Sequence, residues 1–504
     1  MASGSTIPGS PSEHRGLTHW MERVLKELDE VRTAPEPDAV HDLRVALRRC
    51  RSLAAVMEEV DPDTAWPGMR RLGRKLFRQL GELRDTQVLE EWVNKLGAPG
   101  DPVREHLLSH LRKIEADERE AALRAAAKFE QKAWKGYERI LRRRVRVVPV
   151  DGPAAQSLAL ERLLAAKDLH LQALRTEKPE PWHALRIGVK RLRYTVESLM
   201  PERYAACGDE LKHVQDLLGE VHDLDVLAET ITSVAAEEPE EVKSAWRARI
   251  AAERSARLEE YRQLCMGAKN LWQEWREGLP QARRQESAAM ARLRATARSL
   301  GAGTGKSAQV ARLAMKLYEG FAKAKAGAPF GNREVRKIMR AAAALHGIGA
   351  GLHSKAPQKA ARKFLRGLAI PAGWNEVEWE LLALAVRYHR GKEPRVKDKS
   401  YARLGKDEQK AVCAMAGVMR LARELRKHGV ASTKDLRVER SVDAVIVRAP
   451  GLANTEDSAA RIAAGKHLLE MVLDRPLIVQ PLTVLAKVVE LPKAAETIQA
   501  AASD

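Results

Sequence analysis

Apolar residues recur at helical spacing along most of the chain, and turn signals divide them into three tracts. The first tract extends from about residue 17 to 146 and the second from about 154 to 277, with VVPVDGP (147–153) between them. Clusters of Pro, Gly, Asp and Glu interrupt both tracts and predict breaks between helices. In the second tract, breaks are expected at EKPEP, at MPERYAACG (200–208) and at EEPEE. The pattern therefore predicts amphipathic helices nearly throughout this half of the chain.

The third tract begins at Ser307 and continues to about residue 428. Alternating apolar and polar residues then follow in DLRVERSVDAVIVRAP (435–450), which predicts a β-hairpin. A helix near 455–474 and the short apolar stretch PLIVQPL complete the pattern. The sequence therefore predicts a mainly α protein with a small α+β end.

The glycine-rich segment SLGAGTGKS (299–307) precedes the third tract and partly matches the phosphate-binding loop G-x-x-x-x-G-K-[ST]. That motif needs a glycine where this chain has Leu300, and it needs a buried strand where this chain has ATARSL. A linker followed by the start of a helix fits the segment better.

The first two tracts align with each other. DAVHDLRVALRRCR (38–51) aligns with EPWHALRIGVKRLR (180–193) at an offset of 142 residues. LGELRDTQVL (80–89) aligns with LGEVHDLDVL (218–227) at an offset of 138 residues, so one connection is shorter in the second copy. Duplicated helical units usually stack on each other, and the sequence therefore predicts a duplicated helical bundle.

The length of the chain predicts more than one domain. At 504 residues and 56.0 kDa the protein exceeds the usual size of a single hydrophobic core. We expect a duplicated helical domain over 14–290, with halves of about 14–148 and 150–290, and a second domain over 304–504.

The cysteines and the N-terminal segment bear on the compartment. Four cysteines are scattered without a C-x-x-C pair, so neither a disulfide framework nor a zinc knuckle is indicated. The segment MASGSTIPGSPSEHR lacks the apolar centre of a signal peptide, and nowhere do eighteen apolar residues run together. The sequence predicts a cytoplasmic protein with no membrane segment and no cofactor.

The net charge indicates a polyanionic partner. The formal charge is +19 and the pI is about 9.8. Proteins that bind nucleic acid without sequence preference usually stack bases on aromatic side chains, but aromatic residues make up only 4% of this chain. The composition favours a polyanion without bases and disfavours nucleic acid, which stays an alternative.

Basic residues form one face of the predicted helix in each copy. Four residues of the first copy fall within about 80° on a helical wheel: His41, Arg44, Arg48 and Arg51. The same positions in the second copy hold His183, Arg186, Lys190 and Arg193. The following helices add Arg71, Arg74, Lys75 and Arg78 in the first copy, and Lys212 and His213 in the second.

These stripes have two interpretations. A basic helical face is usually solvated surface, yet like charges at this spacing destabilise a helix by a few tenths of a kcal/mol per pair. Their presence in both copies favours anion binding. Each leading histidine is either a core residue or a donor to phosphate that gains charge as the pH falls. We interpret Asp85 and Asp223 as partners that orient a cation.

The repeated segments resemble the CHAD domain, a conserved-histidine α-helical domain with a duplicated bundle. The resemblance covers about residues 14–290 and rests on both His-x-x-Arg stripes and both Leu-Gly-Glu-x-x-Asp segments. It implies that the fourteen stripe and neighbouring residues named above bind inorganic polyphosphate in a basic groove between the halves. It also implies an association with polyphosphate granules. Arginine suits such a ligand because its planar fork donates to phosphate in bidentate fashion.

Residues 304–490 resemble the C-terminal HD-type helical domain of the exopolyphosphatase and guanosine pentaphosphate phosphatase family. The resemblance rests on AALHGIG (343–349), on LAVRYHRGKEP (384–394) and on the tail that contains AAGKHLLEMVLDRPLIV. An HD site needs an adjacent His-Asp pair to hold a metal ion, but His346 is followed by Gly347. The upstream segment KSAQVARLA supplies no histidine, and the actin-like catalytic domain of exopolyphosphatases has no counterpart here.

The sequence therefore predicts a polyphosphate-binding protein with a degenerate HD-like domain and with no catalytic or metal-binding residues. The basic residues of the HD-like domain either extend the phosphate track or are plain surface: Arg387, His389, Arg390 and Lys392. The alternative is a metal-dependent phosphohydrolase that acts on polyphosphate or guanosine pentaphosphate through the HD-like domain.

Overall fold

A computed structural model describes residues 16–33, 36–234, 239–267, 270–352 and 355–482. Over these residues the protein is mainly α, with a small sheet close to the C-terminal end, which confirms the predicted fold class. Within the same ranges, none of the helices combines the length and the apolar character needed to span a membrane. The segment on which the absence of a signal peptide was predicted lies outside the described residues.

Six helices form the first repeat: α1 (Leu17–Thr33), α2 (Pro37–Met57), α3 (Ala65–Leu72), α4 (Arg74–Leu96), α5 (Pro102–Ala127) and α6 (Gln131–Arg144). Six further helices follow the 3₁₀ turn Val145–Val147: α7 (Pro153–Ala173), α8 (Pro179–Leu199), α9 (Pro201–Val234), α10 (Glu240–Cys265), α11 (Leu271–Glu277) and α12 (Ala282–Ser299). Several of these helices begin at a proline, because the fixed φ of proline suits the first helical position and its missing N–H would have no partner there.

The break predicted within residues 200–208 is confirmed, but it is confined to Met200. Helix α9 begins at Pro201 and continues to Val234, so only Met200 separates it from α8. Proline starts this helix, and Cys207 and Gly208 are buried within it. Proline and glycine often end helices, and the sequence therefore predicted a longer break. Proline is nevertheless well suited to the first turn of a helix, and a helix tolerates a single glycine.

Helices in the two repeats pack in the same order. In the first repeat α1 contacts α2, α2 contacts α4, and α4 contacts α5. In the second repeat α7 contacts α8, α8 contacts α9, and α9 contacts α10. The repeats meet where α2 packs against α8 and α4 against α9. The helix break at Gly73 has no equivalent in α9, where Leu211 takes the aligned position within one continuous helix.

Two apolar clusters lie along the length of the repeats. The larger one includes α1, α2, α7 and α8, and it takes in α4 as far as Leu83 and α9 as far as Val221. The smaller one begins at Trp92 on α4 and at Leu224 on α9, and it also includes parts of α5 and α10. Between the clusters, α4 and α9 present charged residues, among them Asp85 and Asp223.

The rest of the described chain contains eight helices and three strands: α13 (Gly305–Lys323), α14 (Arg333–Leu345), α15 (Ile348–Gly351), α16 (Pro357–Gly367), α17 (Glu376–Tyr388), α18 (Lys399–Ala402), α19 (Lys406–Lys427), β1 (Arg437–Arg440), β2 (Val445–Pro450), α20 (Glu456–Leu473) and β3 (Leu477–Leu482). The glycine-rich segment connects α12 to α13, so a helix stands where a phosphate-binding loop needs a strand.

The sheet has the order β1-β2-β3. Strands β1 and β2 are antiparallel, with Arg437 opposite Arg448 and Arg440 opposite Val445, which confirms the predicted hairpin. Strands β2 and β3 are parallel, and α20 supplies the crossover that a parallel pair requires. The apolar stretch after α20 is therefore the third strand of this sheet.

The chain divides into two compact units. Among the described residues, the first contains those within 16–304 and 344–383, and the second contains those within 305–343 and 384–482. Both sequence repeats lie in the first unit, and the sheet lies in the second. In the second unit α19 packs against α13 and α20, and α13 also contacts β1.

Candidate functional site

A pocket of about 480 Å³ opens where the two repeats meet, and we call it the interrepeat pocket. Its walls come from α2 and α4 of the first repeat and from α8, α9 and α10 of the second. Seven lining residues are cationic: Arg44, Arg48, Arg84, Lys95, Arg186, Lys190 and Arg257. Four are acidic: Glu91, Asp216, Glu220 and Asp223. The surplus of cations gives the pocket walls a positive formal charge.

Four predicted stripe residues meet in this pocket. Arg44 and Arg48 come from α2, and their aligned partners Arg186 and Lys190 come from α8. Burial, followed by the charges of the three arginines, lowers the pKa of Lys190 to about 8, because these cations lie close to one another. The α2–α8 contact therefore brings together the central positions of both stripes.

Two aligned carboxylates partly offset this charge. An Asp85 Oδ1 lies 3.6 Å from Arg44 Nη2, which agrees with the predicted role of Asp85 as the partner of a cation. Desolvation raises the pKa of Asp85, and Arg44, Arg186 and Lys190 oppose that rise. Burial, opposed by Arg186 and reinforced by the charge of Asp85, raises the pKa of Asp223 to about 6. Each carboxylate thus feels charges from both repeats.

Three polar atoms in the pocket walls are buried without a hydrogen-bond partner among the described atoms. They are Nε of Arg44, Nε of Arg48 and the hydroxyl of Tyr194. The guanidinium carbon of Arg48 lies 5.9 Å from the centre of the Tyr194 ring. A buried donor without a partner costs about 1 to 3 kcal/mol, so an acceptor that enters the pocket and reaches these atoms would recover part of that energy.

The other cations of the pocket already have partners. Arg84 Nη1 lies 2.9 Å from Glu91 Oε1, and Arg257 Nε donates to Glu220 Oε2 at 2.5 Å. Lys95 Nζ lies 4.4 Å from the centre of the Trp92 ring, which the Arg257 guanidinium also approaches. The aromatic ring in this wall is therefore next to cations and is itself buried.

The last residue of each stripe lies outside the pocket lining. Arg51 Nη1 donates to the carbonyl of Arg70 at 2.6 Å, and its guanidinium stacks 4.8 Å from the Phe77 ring centre. The aligned Arg193 is buried and donates to Gln215 Oε1 at 3.1 Å. Gln215 is the position aligned with Phe77, so each copy uses this arginine to attach its stripe helix to the next helix.

The leading histidines are exposed and are not core residues. His41 does not line the pocket, and desolvation followed by the charge of Arg48 lowers its pKa. His183 Nδ1 lies 3.3 Å from Nδ1 of His222. Burial, followed by the charges of Arg186 and His183, lowers the pKa of His222 to about 4. The His222 ring is therefore neutral at physiological pH.

The six neighbouring residues predicted on the following helices are exposed and do not line the pocket: Arg71, Arg74, Lys75, Arg78, Lys212 and His213. Two of them contact carboxylates, since Arg78 Nε lies 3.6 Å from Glu82 and His213 Nε2 lies 3.1 Å from Glu260.

The lining residues that were not singled out from the sequence include Arg84, Lys95, Tyr194 and Arg257. Arg84 precedes Asp85 in the repeated segment, where the alignment places it opposite His222. A basic residue at this position in both copies was a signal that could have identified it. Helices α5 and α10 have the same length and begin 138 residues apart, which is also the offset between LGELRDTQVL and LGEVHDLDVL. This offset aligns Arg119 with Arg257. Lys95 and Tyr194 have no basic or aromatic equivalent in the other repeat.

The two histidines of the HD-like segments, His346 and His389, are each buried. His389 Nδ1 lies 2.6 Å from the carbonyl of Val386. Among the described residues there is no group of three or more His, Cys, Asp and Glu side chains that could hold a metal ion.

Comparisons with known proteins find two families. Residues 15–232 match the CHAD domain, and residues 268–447 match the Ppx/GppA phosphatase, domain III. Among solved structures, the chain is similar to the CHAD domain from the plant Ricinus communis, with 24% identity and a TM-score of 0.39 over 49% of this chain and 88% of that one. It is also similar to PptA from Streptomyces chartreusis, with 19% identity and a TM-score of 0.38 over 52% and 96%. A comparison with curated proteins finds no match.

Proposed function

Because the chain joins a CHAD domain to a Ppx/GppA phosphatase domain III, we propose that it binds inorganic polyphosphate in the interrepeat pocket without hydrolysing it. Both domain types fit a polyphosphate-related function. One observation carries the proposal: two pairs of aligned cations, Arg44 with Arg48 and Arg186 with Lys190, line one pocket from opposite repeats. A ligand between them would accept hydrogen bonds from both copies.

The donor chemistry supports a chain of phosphates. Every phosphate unit carries oxygens that accept from guanidinium groups in bidentate fashion, and such charge-assisted bonds are roughly twice as strong as neutral ones. The unpartnered Nε atoms of Arg44 and Arg48 and the Tyr194 hydroxyl supply further donors in the same walls. A polymer also reaches several cations at once, which a single small anion does not.

The aromatic side chains of the pocket argue against single-stranded nucleic acid. Binding of bases relies on open aromatic faces that stack on them. Trp92 and Tyr194 are buried, and both rings lie next to cations. A ligand without bases needs no open aromatic face.

We also propose that the polymer continues beyond the pocket over the exposed basic residues of both repeats: His41, Arg71, Arg74, Lys75, Arg78, His183, Lys212 and His213. Arg51 and Arg193 would act indirectly by fixing the stripe helices, because both are committed to bonds within the protein. The absence of an aspartate after His346 supports binding over hydrolysis.

Titration of the full chain with long-chain polyphosphate tests the proposal. Arg44→Ala with Arg48→Ala removes the pair from one repeat, and Arg186→Ala with Lys190→Ala removes the pair from the other. Each double substitution should weaken binding by about 3 kcal/mol or more, or roughly 100-fold, because each charged hydrogen bond contributes about 1.5 to 3 kcal/mol. Similar losses in both variants would indicate that the two repeats hold one ligand.

The matched control is Arg139→Ala with Arg142→Ala, which removes the same charge from exposed positions on α6. We expect this variant to bind within about threefold of the unmodified protein, since only the long-range field changes. If either pocket variant binds as tightly as the control, the interrepeat pocket is not the binding site. Competition with single-stranded DNA distinguishes a polyphosphate site from a general polyanion site.

A further inference from the structure

A cluster of arginines occupies the second unit, where α19 meets the end of α17. Arg387 lies in the last turn of α17, and Arg390 follows two residues after that helix ends. Arg420 and Arg423 lie one turn apart on α19. Two pairs of arginines, each spaced three residues apart, thus come from two different parts of the chain.

Arg420 fixes the geometry of this cluster. Its Nε donates to the carbonyl of Tyr388 at 2.8 Å, and its Nη2 donates to the carbonyls of Gly391 at 2.7 Å and Lys392 at 3.1 Å. These carbonyls belong to the end of α17 and the turn after it, where backbone acceptors lack helical partners. Arg420 therefore holds residues 388–392 against α19 and keeps the neighbouring arginines close together.

The arginines act on each other electrostatically. Burial lowers the pKa of Arg420, and the charges of Arg423 and Arg387 lower it further. Burial lowers the pKa of Arg390 as well, and Arg423 adds to that shift. Glu393 is the carboxylate that opposes the shift at Arg420, and it also contacts His467 Nδ1 at 3.2 Å. Glu393 thus offsets part of the positive charge at Arg420.

Capping of α17 explains Arg420 but leaves Arg387 unexplained. Cations near a helix C-terminus are stabilised by the helix dipole, which favours any arginine in this position. A capping arginine would direct its donors to carbonyl oxygens, as Arg420 does. The Nη1 of Arg387 is instead buried without a hydrogen-bond partner among the described atoms. Its guanidinium lies 5.2 Å from the centre of the Tyr388 ring, and the Tyr388 hydroxyl donates to Asp398.

We propose that Arg387, Arg390 and Arg423 form a second anion site that binds a compact phosphate-bearing group, with Arg420 as its positioning residue. A pyrophosphate-sized anion offers several acceptors to guanidinium groups that lie close enough to act on each other, and it would neutralise charges that otherwise repel each other. Inorganic phosphate chains and the phosphate tails of nucleotides share this chemistry. The site lies within the second unit and stands whether or not the interrepeat pocket binds polyphosphate.

Titration of the full chain with pyrophosphate tests this site. The experiment uses the variant with Arg44→Ala and Arg48→Ala, so that the interrepeat pocket contributes less to the signal. Adding Arg387→Gln and Arg423→Gln should weaken pyrophosphate binding about tenfold or more for each guanidinium removed. The matched control adds Arg437→Gln and Arg461→Gln instead, which removes two exposed arginines of the same unit. Equal binding by these two variants would overturn the proposal.

A second pair of substitutions guards against misfolding. Arg387→Lys with Arg423→Lys keeps both charges but loses the bidentate fork, and we expect it to bind more weakly than the control and more tightly than the glutamine variant. Competition between tripolyphosphate and ATP identifies the source of the phosphate group. Tighter binding of tripolyphosphate assigns the site to inorganic chains, and tighter binding of ATP assigns it to nucleotides. Binding of neither would refute the site.

Discussion

Asp223 should make polyphosphate binding depend on pH, and Asp223→Asn should remove that dependence. The carboxyl lies in the interrepeat pocket with Arg186, Asp85, Glu220 and Arg84 as charged neighbours, and burial is the main cause that raises its pKa to about 6. A phosphate chain in the pocket places further negative charge beside Asp223 and raises its pKa again. The bound state therefore holds a proton that the free protein has largely lost at neutral pH.

The magnitude follows from the pKa of the free protein. With a pKa of about 6, the Asp223 carboxyl is roughly 97% ionised near pH 7.5 and roughly 9% ionised near pH 5. If the bound state keeps the proton throughout, affinity falls about 30-fold between these two pH values, or about 2 kcal/mol. The sign is fixed by linkage: a ligand that raises the pKa of an acid binds more tightly as the pH falls. Lys190, with a pKa of about 8, stays mostly charged over this range and adds less than twofold.

Titration calorimetry with long-chain polyphosphate near pH 5 and pH 7.5 measures this effect. Asp223→Asn should bind more tightly than the unmodified protein near pH 7.5 and equally near pH 5, so its own pH dependence should be about 30-fold smaller. Asp209→Asn is the matched control, because Asp209 is exposed on the same helix. Titration of the polymer and of the histidines is common to all three proteins. If Asp223→Asn and Asp209→Asn show the same pH dependence, the carboxylate does not couple to the ligand.

Three further predictions follow from the same structure. Polyphosphate affinity should fall with salt at a slope of roughly −5 in log K against log salt if all seven lining cations contact phosphate, and a slope shallower than about −1 would contradict an electrostatic site. Arg193→Ala should destabilise the first unit by about 2 kcal/mol in thermal unfolding, because Gln215 loses its buried donor, whereas exposed Arg191→Ala should change stability by less than about 0.5 kcal/mol. The protein should release no phosphate from polyphosphate or guanosine pentaphosphate with magnesium, manganese or zinc, and no metal should raise its melting temperature; turnover that His346→Ala abolishes would favour the enzymatic alternative.

The helical spacing of apolar residues predicted the fold class, because an amphipathic period is a local property of the sequence. The same period does not say how far along a helix a pocket extends. Arg51 and Arg193 continue the stripes by one more helical turn, but neither side chain reaches the pocket. Each donates a hydrogen bond to a residue of the following helix instead. The extent of the pocket along the stripe helices depends on where other helices cross them, and tertiary packing determines those crossings.

The candidate site was only partly accessible from the sequence for a related reason. Arg44, Arg48, Arg186 and Lys190 could be identified because both copies retain them at one spacing. Lys95 has no basic equivalent at the aligned position of α9, which is Ser233, so duplication carries no information about it. Its place in the wall depends on α4 continuing as far as Leu96, beyond the repeated segment.

The gap between the two apolar clusters bears on how the first unit opens. The smaller cluster, with Trp92, Leu224 and Trp246 among its buried residues, is separated from the larger one by the charged level of Asp85 and Asp223. Regions that share few apolar contacts exchange their amide hydrogens in separate cooperative steps. The distal turns of α4 and α9 would thus exchange as a unit of their own. A polyanion bound beside Asp85 and Asp223 would contact helices on both sides of the gap between the clusters. It would thus slow the exchange of the distal turns without adding an apolar contact.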